Sequence, residues 1–330
     1  MMSYTKKAPK YKSIRRGIVL IHFSTDPSKI ARELLAQIAE VGFDTVQVPV
    51  LDINAKSEYV ALAERAAEQG LVCSVVTVCP AGKDEGGLFL ADPGGSGRAQ
   101  EVFETYMAGV VDIAVAMRMF ADEPVKVVGP FAEPLGGAST PEDANPASDR
   151  WRRSVVTLAR VARNAADKGA VLLLEFLNRW EQRLVCNSIR GRLFVEQVNA
   201  HPASGEATVY GLYDSHHAHI EGGKDIAREL VDFIPVLGGY HASESHRGVL
   251  GTGRTTAELE IREIQHAGLG STAQPFDVWI EMFSGSDPGL AAATCVWDSQ
   301  ITGRELEASA ESLRELDRYI TRAGYALNLG

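Results

Sequence analysis

Short apolar runs alternate with longer amphipathic stretches along almost the whole chain. Residues 17–22 (GIVLIH), 45–50, 71–78, 125–128, 171–175, 208–214, 237–243 and 276–281 read as strands. Between and after them, residues 27–41, 57–69, 99–117, 150–168, 188–198, 224–234, 256–267 and 305–323 read as helices, several closed by a glycine such as Gly42, Gly70 or Gly169. Strict alternation of strand and helix implies parallel strands joined by right-handed crossovers. Eight such units over this length predict a closed (β/α)8 barrel, a TIM barrel, rather than an open doubly wound sheet. No Pro-, Gly- or Ser-rich linker divides the chain, so residues 17–330 are expected to form one domain behind an arm at 1–16.

The run VLLLEFLNRWE breaks the apolar pattern. A strand buried on both faces ends in Glu175, and Glu181 follows six residues later. A carboxylate at the end of such a strand needs a partner charge, a metal or a catalytic role to offset its desolvation. Later strands repeat the feature. The sixth ends in Asp214, followed by His216, His217 and His219. The seventh carries His241, then Glu244 and Arg247. The eighth ends in Glu281. The C-terminal ends of barrel strands converge on one mouth. Three carboxylates and an imidazole arriving there suit a divalent, fairly hard cation: Mn²⁺ first, with Mg²⁺ or Co²⁺ as alternatives, all ahead of Zn²⁺. His216 and His219 read as polar loop residues, and His246 and His266 as surface residues. The glycine-rich stretch 80–97 lacks a GK[ST] or a GxGxxG after a strand, and reads as a flexible loop at the mouth of a site.

Composition narrows the classes. The chain has 330 residues, 45% hydrophobic and 23% charged, with a formal net charge of -10. The acidic body argues against nucleic-acid binding. The arm is the exception, with Lys6, Lys7, Lys10, Lys12, Arg15 and Arg16 and no acid. It reads as a solvated or packed extension outside the fold, or as a partner-docking arm. There is no signal-peptide pattern and no apolar run long enough for a membrane helix. Cys73, Cys79, Cys186 and Cys295 show no CxxC spacing and are expected to be reduced, in a cytoplasmic protein.

EFLNRWEQRLVCN matches the E-x-x-N-R-[aromatic]-E signature of the D-tagatose 3-epimerase/D-psicose 3-epimerase group of xylose-isomerase-like barrels, which the sequence resembles from about 17 to 323. Asp214-Ser215-His216-His217 is similar to the group's D-x-x-H element, and HASESHRGVLGTG to its H-x-x-E-x-x-R-x-x-x-G-x-G element. Glu281 in DVWIEMF matches its terminal glutamate, and GPFAEPLGG is similar to its fourth-strand loop. Departures are HFSTD at the first strand end, where the group carries aromatics, IEMF in place of EPF, the arm, and a longer loop at 80–97.

The resemblance implies Glu175, Asp214, His241 and Glu281 as metal ligands, with Glu175 and Glu281 also the acid/base pair. It implies Glu181, His217 and Arg247 as substrate contacts. The implied activity is metal-dependent inversion of C3 of a free ketose through an enediolate, by two-carboxylate proton transfer. Aldose–ketose isomerisation and keto-inositol dehydration use the same chemistry. The main alternative is a lyase acting on 3-keto-glycosides, working with a small second subunit; a non-catalytic sugar-binding protein is another class. By analogy the chain is expected to be a homo-oligomer, dimer or tetramer.

Overall fold

In the computed structural model the structure describes residues 13–324, apart from 86, 120–122, 139, 223–224 and 271–274. Eight parallel strands close on one another in chain order: β1 (Ile14–Val19), β2 (Thr45–Pro49), β3 (Val72–Val76), β4 (Val125–Gly129), β5 (Ala170–Glu175), β6 (Tyr210–Asp214), β7 (Leu237–Ser243) and β8 (Phe276–Glu281). β1 closes the ring on β8 through a register that pairs Gly17 with Trp279. The helices α1 (Arg32–Val41), α2 (Lys56–Glu68), α3 (Arg98–Ala116), α4 (Asp149–Asp167), α5 (Ser188–Ala200), α6 (Ser215–Glu221), α7 (Ile226–Phe233), α8 (Ala257–His266), α9 (Pro288–Thr294) and α10 (Glu305–Arg322) lie in the connections and after β8. The (β/α)8 barrel expected from the alternation is the fold.

Side chains alternate across each strand, and the interior is built in three levels. β8 displays all three. Asp277 sits at the lower end, where Arg15 Nε reaches its Oδ1 at 2.5 Å and Lys126 also bonds to it. Trp279 sits in the middle with Val19, Val76, Val128, Leu173 and Leu212. Glu281 sits at the upper rim. The indole fits because its neighbours there lack side chains: a Cβ on Gly17 would lie 2.2 Å from Trp279 Cδ1, and one on Gly239 2.7 Å from Cζ3. A second, larger apolar layer joins the outer faces of the strands to the helices, with Trp151, Phe103, Phe194 and Phe233 fully buried in it.

Three expectations need correction. β1 begins at Ile14 rather than 17, and 20–22 form a short 3₁₀ turn. Arg15 and Arg16 are therefore buried parts of the barrel, not of an outer arm. Arg15 has Asp277, while Arg16 bonds to Asp44 and to Asp317 at 3.0 Å each. The rest of the expected arm, residues 1–12, lies outside the described residues. Second, the segment after Asp214 is not loop but helix α6, and α9 is a further helix that the alternation did not reveal. Third, the far end of the 80–97 connection is packed. Asp92 is buried and receives two hydrogen bonds from Arg150, at 2.8 and 3.2 Å.

Candidate active site

The upper rim gathers the carboxylates. Glu175 ends β5, Asp214 ends β6, His241 lies within β7, and Glu281 ends β8. All four are buried, and one ligand atom from each lies within 4.8 Å of those of the others. His241 Nδ1 is 3.4 Å from Glu175 Oε1, 3.8 Å from Glu281 Oε2 and 4.0 Å from Asp214 Oδ2. Donors around one divalent ion at about 2.1–2.4 Å are separated by no more than roughly twice that distance, so the spacing fits a single cation.

A further observation supports the fit. His241 Nδ1 is buried and has no hydrogen-bond partner among the described residues. Its other ring nitrogen, Nε2, is 3.0 Å from Gln47 Oε1 on β2. A buried nitrogen with no such partner, facing three carboxylates, is a donor set that suits a divalent cation. The residues present could therefore hold a divalent metal.

Asp214 divides its two oxygens. Oδ1 caps α6 by accepting from His216 N at 2.6 Å, and Oδ2 turns into the site, where Arg247 Nη1 donates to it at 2.8 Å. The same Nη1 bonds to Glu281 Oε2 and donates to Ser243 Oγ at 2.8 Å. Arg247 adopts a positive φ of 56° and lays its guanidinium over the Phe283 ring, 4.6 Å from its centroid.

These contacts set the protonation of the group. Burial pushes Glu281 up to about 8 and Glu175 upward, with Asp214 adding like-charge repulsion, while His241 and Arg247 oppose the rise. Burial also opposes ionisation of Asp214, but Arg247, then His217 and His241, outweigh it and hold its carboxyl well below the ordinary value. His241 is raised because Glu281 and Glu175 overcome its desolvation.

Three more of the expected residues border the cluster. His217 is buried, with Nε2 3.8 Å from both Glu175 Oε1 and Asp214 Oδ2 and 2.9 Å from Arg247 Nη2. Glu181 is the most open of the set, its side chain 43% exposed. Asn178 links the two: its Nδ2 lies 2.6 Å from Glu181 Oε1 and 3.1 Å from His217 Nδ1, and its Oδ1 accepts from Trp180 N at 2.9 Å. The backbone of this loop is held by Glu133, which is buried and accepts from Ala138 N and Arg183 N at 2.7 Å each, and by Gly136 N, which donates to Glu181 O at 2.7 Å. His216 is largely buried in α6, its Nδ1 3.0 Å from Glu244 O.

Gln47, Asn178 and Ser243 escaped the sequence reading. Gln47 had a signal: a polar residue at an inward position of the apolar strand TVQVP. Asn178 stood inside the recognised signature without a role attached.

A family model described as a xylose isomerase-like TIM barrel matches residues 35–323. The chain belongs to that family. Among its relatives is an L-ribulose 3-epimerase of Mesorhizobium japonicum, 29% identical over 276 residues that cover 83% of each chain. Another is a D-psicose 3-epimerase of Agrobacterium fabrum, 23% identical over 291 residues, 83% of this chain and 93% of the relative. A solved structure of an L-ribulose 3-epimerase superposes with a TM-score of 0.78 at 24% identity, covering 94% of this chain and 95% of the other, which is a likeness of fold. Among the described residues, no helix of this family member is long and apolar enough to cross a membrane.

Proposed function

We propose that this chain is a metal-dependent ketose 3-epimerase that inverts C3 of a free ketose by proton transfer between two carboxylates. The observation that carries the reading is the meeting of Glu175 and Glu281, from β5 and β8, in one buried group with Asp214 and His241. The 3-epimerase names of relatives that align over most of the chain support it.

Glu175, Asp214, His241 and Glu281 would hold the cation, Mn²⁺ in preference to Mg²⁺ or Co²⁺. When bound, a divalent cation supplies Lewis-acid stabilisation of the negative charge that grows on the ketose oxygens. Proton transfer belongs to the protein. One of Glu175 and Glu281 takes the C3 proton from one face of the sugar, and the other returns a proton to the opposite face. Each carboxylate keeps a second oxygen for that task. His217 and Arg247 hold the carbonyl end of the substrate, and Glu181, at the open side, accepts from a hydroxyl. The buried walls exclude bulk water from the carbanion-like species, so the returned proton comes from a carboxyl group.

The test is isotope uptake. Ketopentoses and ketohexoses incubated in D₂O with the Mn²⁺-loaded enzyme should yield the C3 epimer with deuterium at C3. Epimer formation without deuterium would defeat the two-carboxylate route. Inert free ketoses together with aglycone release from a 3-keto-glycoside would replace the reading with the lyase.

A further inference from the structure

Gln47 lies on β2, far from the four carboxylate and imidazole positions in sequence and unmarked by any motif. It is fully buried, and its Oε1 is 3.0 Å from His241 Nε2. The two orientations of its amide have opposite consequences. With Oε1 toward the ring, His241 must carry its proton on Nε2, and the Nδ1 lone pair faces Glu175, Asp214 and Glu281. With the amide reversed, Nε2 of the ring would have to accept, the proton would move to Nδ1, and no lone pair would be left for a cation. Nδ1 has no other hydrogen-bond partner among the described residues, so the first orientation leaves it free for a ligand bond. Trp279 fixes the ring from the side, edge-on at 6.0 Å between centroids.

We infer that Gln47 is a positioning residue for the cation site, whose side-chain carbonyl holds His241 as the Nε2–H tautomer and commits Nδ1 to the metal. This rests on the metal-site part of the proposed function. The choice of an amide is itself informative. Three carboxylates already face the cation, and a neutral acceptor orients the imidazole without adding a fourth negative charge beneath them. Outer partners of metal-bound histidines act in this way, and their loss weakens metal affinity on the order of 10–100-fold.

Two variants and one spectrum test it. Gln47→Met removes the acceptor at similar volume, and Gln47→Glu restores an acceptor that cannot donate. Mn²⁺ affinity is measured by titration calorimetry on the full chain, with circular dichroism melting as the control for folding. Gln47→Met should weaken Mn²⁺ binding 10–100-fold, and Gln47→Glu should bind at least as tightly as the wild type. In the Mg²⁺-loaded wild type, ¹⁵N imidazole spectra, assigned against His241→Gln, should show His241 protonated at Nε2 and carrying no proton at Nδ1. Unchanged Mn²⁺ affinity in Gln47→Met, equal loss in both variants, or a proton on Nδ1 would overturn the inference. Wild type that binds Mn²⁺ through His241 Nδ1 yet epimerises no ketose would defeat the proposed activity and leave the role of Gln47 standing. Wild type that binds no Mn²⁺ would defeat both.

Discussion

Glu175 Oε1 and His241 Nδ1 lie 3.4 Å apart although their strands, β5 and β7, are not neighbours. The curvature of the closed barrel brings alternate strands together across the interior, where β6 contributes Asp214 to the same point. A flat sheet would hold these side chains two strand spacings apart, about 10 Å.

That convergence makes the two proposed proton carriers individually testable. Glu175→Gln and Glu281→Gln should each lower kcat for ketose epimerisation by roughly 10²–10⁴-fold. The check is a kinetic comparison at saturating Mn²⁺, so that loss of metal does not stand in for loss of proton transfer. Near-wild-type turnover in either variant would remove that residue from the reaction.

Metal should stabilise as well as activate. Three carboxylates and a nitrogen with no hydrogen-bond partner among the described residues share the buried rim. Binding of a cation to the native state alone contributes about 2.7 kcal/mol at a concentration one hundred times its Kd. Chelation should therefore abolish turnover and lower Tm, and Mn²⁺ should restore both. A Tm indifferent to chelator and Mn²⁺ would count against the site.

The opposite end of the barrel should matter for stability and not for chemistry. Asp277 is buried with Arg15 and Lys126, and its carboxyl is held below the ordinary value, burial being outweighed by those two cations. Replacing it with Ala leaves the buried Arg15 guanidinium with Glu123 alone and takes the carboxylate from Lys126, a loss of about 3 kcal/mol. Denaturant unfolding should register that loss while KM stays at its wild-type value.

Trp279 tests the middle level. A methyl group on Gly239 would meet the indole at 2.7 Å and Leu173 Cδ2 at 2.9 Å. Gly239→Ala should destabilise by about 1–3 kcal/mol through overpacking. Because Trp279 flanks His241, Mn²⁺ affinity should fall with it, a pairing that calorimetry can examine.

His22 should impose a pH dependence on stability. It is fully buried beside Phe23, with Nε2 3.2 Å from Ser309 Oγ, and burial lowers it from 6.5 to about 4. Between those values the unfolded chain binds the proton and the folded one does not, so stability rises with pH there and is lost as pH falls through 6.5 towards 4. The full difference is about 3 kcal/mol at 1.36 kcal/mol per unit. Unfolding free energies from pH 8 to 4 should diverge between wild type and His22→Gln, the variant being less sensitive to acid.

Much of this protein was legible in the chain. FDVWIE and LGGYHAS are bounded as strands by their own residues, and the carboxylates that end strands stand out because apolar runs do not otherwise terminate in acids. The local signature around Glu175 was sufficient to suggest the chemistry. What failed was also local. Two arginines at the start of β1 look like the end of a basic tail, because the acids that bury them, Asp277 and Asp317, lie 262 and 301 residues away. Helix α6 was missed because SHHAHIE has little apolar period; the Asp214 cap that starts it is visible only with coordinates.

The sequence by itself determined the order of strands and helices, and which residues stand at strand ends, since both follow from periodicity and from the cost of burying charge. Only the tertiary structure decided which nitrogen of His241 faces the carboxylates, that Gln47 holds the other, and that Arg247 spans Asp214 and Glu281. Those facts depend on the closure and shear of the barrel, which bring Gln47 to hydrogen-bond distance of His241, 194 residues away. Angular preferences of that kind leave no trace in the spacing of residues along a chain.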